Sequence, residues 1–429
     1  MKIPAGAPLE VAFEFAPGAR VPAGRLALTR SGIAFEYAPE LAQTPIELSP
    51  FFEPTATSGL IYAKNARDFK GLPGVFAHSL PDAWGEMLVR RRAEREGIPF
   101  ASLTALDQLA IVGRRGSGAL VYAPEIAAEE ADGIDLDALA ASAVELIEGQ
   151  DTVAIEQLER LGGSSGGTRP KVLVGIDAAG QFVPGDADLP VEFSHWIIKF
   201  RSSANDIEDI GALEAAYADM ARAAGIPISE TRLIEGKRGR YFATKRFDRL
   251  DGNRRLHMVS AAALLEVAWY EPTMGYDDLM KLSRRMTRSE AAVDDMYRRM
   301  VFNVLAHNRD DHANQHAYLM DEHGNWTLAP AFDLTYSRGP GTGEHYMDVA
   351  GHGGDDIARS SFEKAAKAQG IKPAQAASII DEVGAAVNVF AQYADAYDLR
   401  KSTLKDIDRD LQRGLARFIP PSVVKSMTL

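Results

Sequence analysis

The sequence predicts an α+β protein of two lobes, with an extra β-containing amino-terminal subdomain and a mostly helical carboxy-terminal lobe. Three observations carry this. Residues 10–37 contain "EVAFEF", "GRLALTRSG" and "IAFEYAP", alternating runs broken by Gly and Pro, which read as short antiparallel strands. A second set of strand-like runs, "KVLVGID" (171–177), "HWIIKF" (195–200) and 241–259, brackets a helix. From about residue 259 onward the apolar spacing is mostly helical. These shifts divide the chain into 1–125, 126–258 and 259–429.

The remaining elements follow in order. "SLPDAWGEMLVRRRAERE" (79–96) reads as a turn and a basic helix, and "LDQLAIVGRRGSGALVYAP" (106–124) as an apolar stretch, a Gly-rich turn and a strand. The acidic, Ala-rich stretch 125–137 is the linker candidate, followed by a helix over about 137–148 and the Gly/Ser loop "LGGSSGGTRPK" (161–171). In "ALEAAYADMARAA" (212–224), Leu213, Tyr217, Met220 and Ala224 recur at helical spacing, with Gly225 and Pro227 as stop signals. Asp251 and Gly252 predict a hairpin turn within 241–259. Thr287 and Glu290 have the spacing of a capping box. Val293, Met296, Met300 and Val304 give the helix that follows its apolar stripe. No internal repeat or low-complexity tract interrupts the pattern.

Composition bounds the function. The 429 residues are 46% apolar and carry a formal net charge of −13, which argues against unaided binding to a polyanion such as DNA. Without cysteine there is no disulfide framework, thiolate zinc site or Cys nucleophile. The start, "MKIPAGAPLEVAFEFAPG", lacks the apolar core of a signal peptide. No run reaches the ~20 apolar residues of a membrane span. A cytoplasmic protein with no membrane association is expected. His78, His195 and His257 are read as structural, and the four tryptophans as packing residues.

Three stations fit one chemistry. The loop "GGSSGGTRPK" can lay backbone N–H groups around phosphate oxygens, because glycine lets the backbone approach closely, and Lys171 adds a positive charge at its end. It is not a Walker A motif. Lys199, inside the apolar run "HWIIKF", is a candidate for the alpha and beta phosphates of a nucleotide, with Glu214 on the following helix to hold it, as in protein kinases. The third station is "RDDHANQHAYLM" (309–320), crowded with Asp310, Asp311, His312, Asn314 and His316. Asp310 and Gln315 stand at the interval at which protein kinases place a catalytic Asp and a metal-binding Asn. "HAYLM", "DEHGN" and "WTLAP" read as strand, turn and strand. A hairpin there returns the chain, so that Asp310 and Asp333 can face one cleft as a base and a Mg²⁺ carboxylate.

With these motifs the chain resembles the HipA-like serine/threonine kinases, the toxin halves of bacterial toxin–antitoxin pairs. "SLPDAWG" and "VGRRGSGAL" are similar to the family's amino-terminal subdomain. "GGSSGGTRPK", "WIIKF", "TKRFDR", "NRDDHANQ" and "LAPAFDLTYS" are similar to its nucleotide site. The resemblance implies a protein-kinase-like fold, with 126–258 as linker helix and nucleotide-binding β lobe and 259–429 as catalytic lobe. It also implies roles. Asp310 would accept the substrate hydroxyl proton, and Asp333 would bind Mg²⁺. Gly166, Gly167, Thr168, Arg169, Pro170 and Lys171 would cradle ATP phosphates, with Lys199 in contact with them. Lys245, Arg246 and Phe247 would form the hinge beside adenine. His312, Ala313, Asn314 and Gln315, with Phe332, would complete the nucleotide site. Ser164, or the adjacent Ser165, matches the loop serine that such kinases autophosphorylate. The implied partners are a small DNA-binding, HipB-like antitoxin, through which alone DNA would be reached, and a translation protein such as an aminoacyl-tRNA synthetase as substrate.

One departure stands out. The family usually has Asn where this chain has Gln315, and often Lys or Arg where it has Asn314, so the second metal ligand is Gln315 or Asn314. Two other readings compete. A metal-dependent hydrolase would use His312, His316 and two carboxylates, and leaves the Gly/Ser loop and Lys199 unexplained. An ATP-binding pseudokinase would serve as an antitoxin-bound co-repressor.

Overall fold

The computed structural model describes residues 1–126, 134–150, 154–162, 167, 169–202, 206–271, 274–339 and 343–419. By contacts the chain forms two units. One comprises Met1–Asp206, Ile234–Val267 and Tyr318–Trp326; the other comprises Ile207–Leu233, Ala268–Ala317 and Thr327–Leu429. The segments 1–125, 126–258 and 259–429 are divisions along the chain, whereas these units interleave separate pieces of it.

The first unit begins with a five-stranded antiparallel sheet. Strands β1 (Leu9–Ala16), β2 (Ala19–Thr29), β3 (Gly32–Tyr37), β4 (Ile61–Tyr62) and β5 (Leu120–Ala123) lie in the order β4-β3-β2-β1-β5. The alternation read from the sequence is visible in β1, where Leu9, Val11 and Phe13 are buried and Glu10 is exposed. Glu14 breaks the rule. It is buried, and Arg20 (2.7 Å) and Arg114 hold it.

A second sheet follows in the order β7-β6-β8-β10-β9, made of β6 (Lys171–Ile176), β7 (Phe182–Pro184), β8 (Ser194–Lys199), β9 (Thr231–Glu235) and β10 (Arg240–Lys245). Its core packs Val172, Val174, Trp196 and Ile198 against Trp84, Leu158 and Leu161 of the flanking helices Ala83–Arg95 and Ile155–Leu161. Trp84 also donates its indole N–H to the carbonyl of Lys171 at 3.1 Å. Truncating either tryptophan removes about 3–5 kcal/mol of stability. A three-stranded sheet, in the order β11-β12-β13, comprises β11 (His257–Ser260), β12 (Ala317–Met320) and β13 (Trp326–Leu328).

The second unit is mostly helical. Helix Ile210–Ala223 buries Leu213, Tyr217 and Met220, and ends where Gly225 takes φ +76°, a left-handed conformation that glycine adopts without strain. The Tyr217 hydroxyl donates to the carbonyl of Ala306 at 2.8 Å, which ties this helix to the end of helix Glu290–Leu305. In the latter, Val293, Met296, Met300 and Val304 are all buried, as the stripe predicts. Helices Tyr276–Thr287, Arg359–Gln369, Pro373–Asn388, Phe390–Ala396 and Lys401–Phe418 complete the unit. The expected α+β fold, with its β-containing amino-terminal part and helical carboxy-terminal part, is observed.

Three local readings differ. The capping box is absent, because Thr287 belongs to the preceding helix and its hydroxyl donates to the Ser283 carbonyl; Ser289 stands at the N-cap without a side-chain hydrogen bond. Residues 241–259 are not one hairpin. β10 and β11 belong to different sheets, and the Asp251–Gly252 turn closes only an isolated bridge between Arg249 and Arg255. The reason is physical: Arg246, Asp248 and Arg249 are all buried in an ionic knot, which breaks strand alternation. Finally, Trp84, Trp196 and Trp326 are buried, but Trp269 is 40% exposed.

Candidate functional site

The 309–316 loop is fixed from both sides. Helix Glu290–Leu305 ends at Ala306, and His307 reverses the chain with φ +51°. The backbone of Asn308 forms a bridge with Ser337, and the Ser337 N–H donates to the His307 carbonyl at 3.0 Å. The β12–β13 hairpin lies between. Its turn is held by Asp321, whose carboxylate accepts from the backbone N–H groups of His323 and Asn325, each at 2.9 Å. The hairpin therefore returns Ser337 alongside His307 and Asn308.

Asp310 and Asp311 diverge at this point. The Asp310 side chain is 49% exposed, with Oδ1 at 3.5 Å from His312 Nε2. Asp311 is fully buried. It accepts from the Tyr276 hydroxyl at 2.7 Å, from His345 Nδ1 at 3.0 Å and from the Tyr346 backbone N–H at 2.9 Å. Burial opposes its ionisation, but the His345 ring and these donors hold its pKa below the ordinary carboxylate value. Tyr276 in turn accepts from Asn303 (2.8 Å), and Asn303 from Asn308 (2.9 Å).

His312 sits among the acidic groups. Burial lowers its pKa, while the charges of Asp310, Asp311 and Asp333 pull the other way. The net direction is downward, against protonation of the ring. Trp269 (4.7 Å between ring centres) and Tyr346 (5.4 Å) pack on it. Asp333 has φ +55°, a conformation that costs a non-glycine residue about 1 kcal/mol or more and clusters at functional sites. Asn314, Gln315 and Phe332 are half-buried, and Ala313 is buried. His316 is buried too, and burial pushes its pKa down to about 4. Among the described residues, no group of three or more His, Asp or Glu side chains is placed to hold a metal ion. Mg²⁺ needs fewer, since it keeps waters and phosphate oxygens, and the oxygen donors of Asp333 and Gln315 or Asn314 are of the kind it takes.

In the first unit, Ser164, Ser165, Gly166 and Thr168 lie outside the described residues. Gly162, at the start of the loop, allows a close approach: a Cβ there would meet Leu88 Cδ1 at 2.3 Å and the Leu158 carbonyl at 2.5 Å. Gly167 is exposed with φ +100°, Arg169 is half-buried and Pro170 buried. Lys171 and Lys199 face each other across the β6–β8 ladder. Like charges so placed repel, and the structure meets this by pairing Lys171 with Asp82 at 2.9 Å, both buried or nearly so. Lys199 lies over the Phe242 ring at 5.6 Å. Glu214, in the second unit, is buried on helix Ile210–Ala223. Lys245 and Phe247 are half-buried. Arg246 is instead locked onto Asp248 (3.0 and 2.8 Å) and the Gly116 carbonyl. Sequence reasoning assigned no role to Tyr276, Asn303, Asn308 or His345. Their only signal was an abundance of polar residues in helical or loop segments far apart in the chain.

This architecture and these motifs have relatives. Residues 19–123 match the HipA N-terminal domain, and residues 163–390 match the HipA-like C-terminal domain. The chain therefore belongs to the HipA-like family. It is similar to HipA of Shewanella oneidensis MR-1, from a toxin–antitoxin system and solved with HipB and its operator DNA. The TM-score is 0.66 and the identity 18%, over 95% of this chain and 96% of that one. A second structure, the proinflammatory kinase CtkA of Helicobacter pylori, aligns with 52% of this chain and 91% of its own, at 13% identity and a TM-score of 0.30, too low to bear on the fold. No curated protein matches the sequence. Among the described residues no helix is long and apolar enough to cross a membrane.

Proposed function

We propose that the chain is an ATP- and Mg²⁺-dependent serine/threonine protein kinase, the toxin half of a toxin–antitoxin pair acting in the cytoplasm. The observation that carries this is one local arrangement in a HipA-like chain: a half-exposed Asp310 at 3.5 Å from His312, with the charge of a strained Asp333 also acting on that ring. Asp310 accepts the proton of the acceptor Ser or Thr hydroxyl as that oxygen attacks the γ-phosphorus and the bond to the leaving ADP oxygen breaks. Asp333, with Gln315 or Asn314, would hold Mg²⁺, which when bound with ATP neutralises charge on the phosphoryl oxygens. Ala313 and Phe332 would complete the nucleotide site.

Gly166, Gly167, Thr168 and Arg169 would offer backbone N–H groups to phosphate oxygens, with Pro170 completing the cradle, and Lys199 would offer its ammonium. Lys171, paired with Asp82 at 2.9 Å, would add its charge at the end of that cradle. Lys245 and Phe247 border the adenine, while Arg246 braces the segment from its buried pair with Asp248. The S. oneidensis relative supports a HipB-like antitoxin as partner, with DNA reached only through it. The substrate is a translation protein such as an aminoacyl-tRNA synthetase.

Autophosphorylation of Ser164, or Ser165, would add about −1.5 to −2 charges at pH 7 where ATP phosphates bind. The test is incubation with γ-labelled ATP and Mg²⁺, phosphosite mapping, and calorimetric titration of ATP into both forms. Label at Ser164 or Ser165 and weaker ATP binding by the phosphorylated form are expected. Absence of label on the protein and on added acceptors would overturn the reading.

A further inference from the structure

Asp310 and Asp311 are neighbours with opposite surroundings, and the proposed function uses only the first. A buried carboxylate is costly unless its oxygens are filled. Those of Asp311 take three hydrogen bonds from two separate pieces of chain: Tyr276 at the start of its helix, and the side chain of His345 and backbone of Tyr346 in the segment beyond the hairpin. The His345 side chain is itself only 5% exposed. Behind Tyr276, the Asn303 and Asn308 amides carry the network into helix Glu290–Leu305. Asp311 shares a peptide plane with Asp310. Fixing one side chain inward at three points sets the direction in which the other leaves the backbone.

We propose that Asp311 and His345 are positioning residues for Asp310: the His345–Asp311 hydrogen bond anchors the 309–315 loop so that the Asp310 carboxylate stands where it meets the acceptor hydroxyl. The catalytic part of this rests on the kinase reading above; the anchoring part does not. Proton transfer to a base is sensitive to placement, and a displacement of about 1 Å costs on the order of 10²-fold in rate. ATP contacts outside 309–315 are untouched by such a displacement, whereas Asn314 or Gln315, in the same loop, would pass part of it to Mg²⁺ and ATP. The effect therefore falls more heavily on kcat than on KM for ATP. The ring nitrogen that donates, Nδ1, is bonded to Cγ, as is the amide nitrogen of asparagine. His345→Asn keeps a donor at that place, and His345→Ala does not.

The experiment measures hydrogen–deuterium exchange over 309–315 and steady-state phosphoryl transfer in the full-length wild type, His345→Ala and His345→Asn. In His345→Ala, loop exchange rises about 10-fold, kcat falls on the order of 10²-fold, KM for ATP rises by less than kcat falls, and exchange in helix 290–305 is unchanged. His345→Asn restores both loop protection and kcat. Unchanged loop exchange in His345→Ala overturns the proposal, as does a kcat loss with full loop protection. If His345→Ala fails to fold, Tyr276→Phe removes a second donor to the same carboxylate at nearly constant volume and must loosen the same loop. A wild type that transfers no phosphoryl group overturns the kinase reading, while the exchange data still decide the anchor.

Discussion

Asp248 in the 246–249 segment and Asp311 in the 309–316 segment are both fully buried carboxylates, but different partners hold them. Asp248 accepts from Arg246 (3.0 and 2.8 Å), Arg249 (2.7 Å) and the Gly118 N–H (2.8 Å). Burial alone would raise its pKa, yet the two guanidinium groups hold it well below the carboxylate range. Those cations never lose their protons, so this is a permanent lock. Asp311 is held by a phenol, an imidazole and a backbone N–H, with no arginine. The first arrangement cancels charge and serves stability. The second fixes the loop that carries Asp310. Damage to the first should appear as unfolding, and damage around the second as lost chemistry.

The sharpest break of that comparison on the stability side is Asp248→Ala. It leaves two buried guanidinium groups uncompensated and should cost about 3–5 kcal/mol, read from the urea midpoint. A loss under about 1 kcal/mol would show that the lock carries little. Acidification should act next. Burial pushes His78 down to about 4, His257 to about 3 and His316 to about 4. With folded values below the ordinary 6.5, the unfolded chain binds more protons as the pH falls. The stability these rings contribute is thus whole above 6.5 and is lost as the pH falls toward 3–4. Between pH 7 and 5 each should account for about 2 kcal/mol. Equal urea midpoints at the two values would contradict this. The smallest effect is at Gln315: Gln315→Ala should raise the Mg²⁺ requirement several-fold, and Gln315→Asn should keep or raise activity. An unchanged Mg²⁺ dependence in Gln315→Ala would move the ligand role to Asn314 or to water.

The same contrast marks what was legible in the sequence. Local periodicity sufficed for β1, for the stripe Val293–Met296–Met300–Val304 and for the β12–β13 hairpin, because each depends on neighbours a few residues away. The capping box failed because Thr287 finds its partner backward, at Ser283. Lys171 meets Asp82 from 89 residues away, and Asp311 meets Tyr276 and Tyr346 from 35 residues on either side. No spacing rule reaches such pairings. The loop 309–316 was conspicuous as a cluster of ionisable groups, but which of two adjacent aspartates faces outward is decided by those distant partners.

The most direct measurement of the central claim is phosphoryl transfer from γ-labelled ATP by the wild type and Asp310→Asn, with ATP binding measured on both. Asparagine keeps the size of the side chain and removes the base. The account predicts transfer by the wild type, a loss of about 10²–10⁴-fold in Asp310→Asn, and ATP affinity largely intact. Near-normal transfer by Asp310→Asn would contradict it.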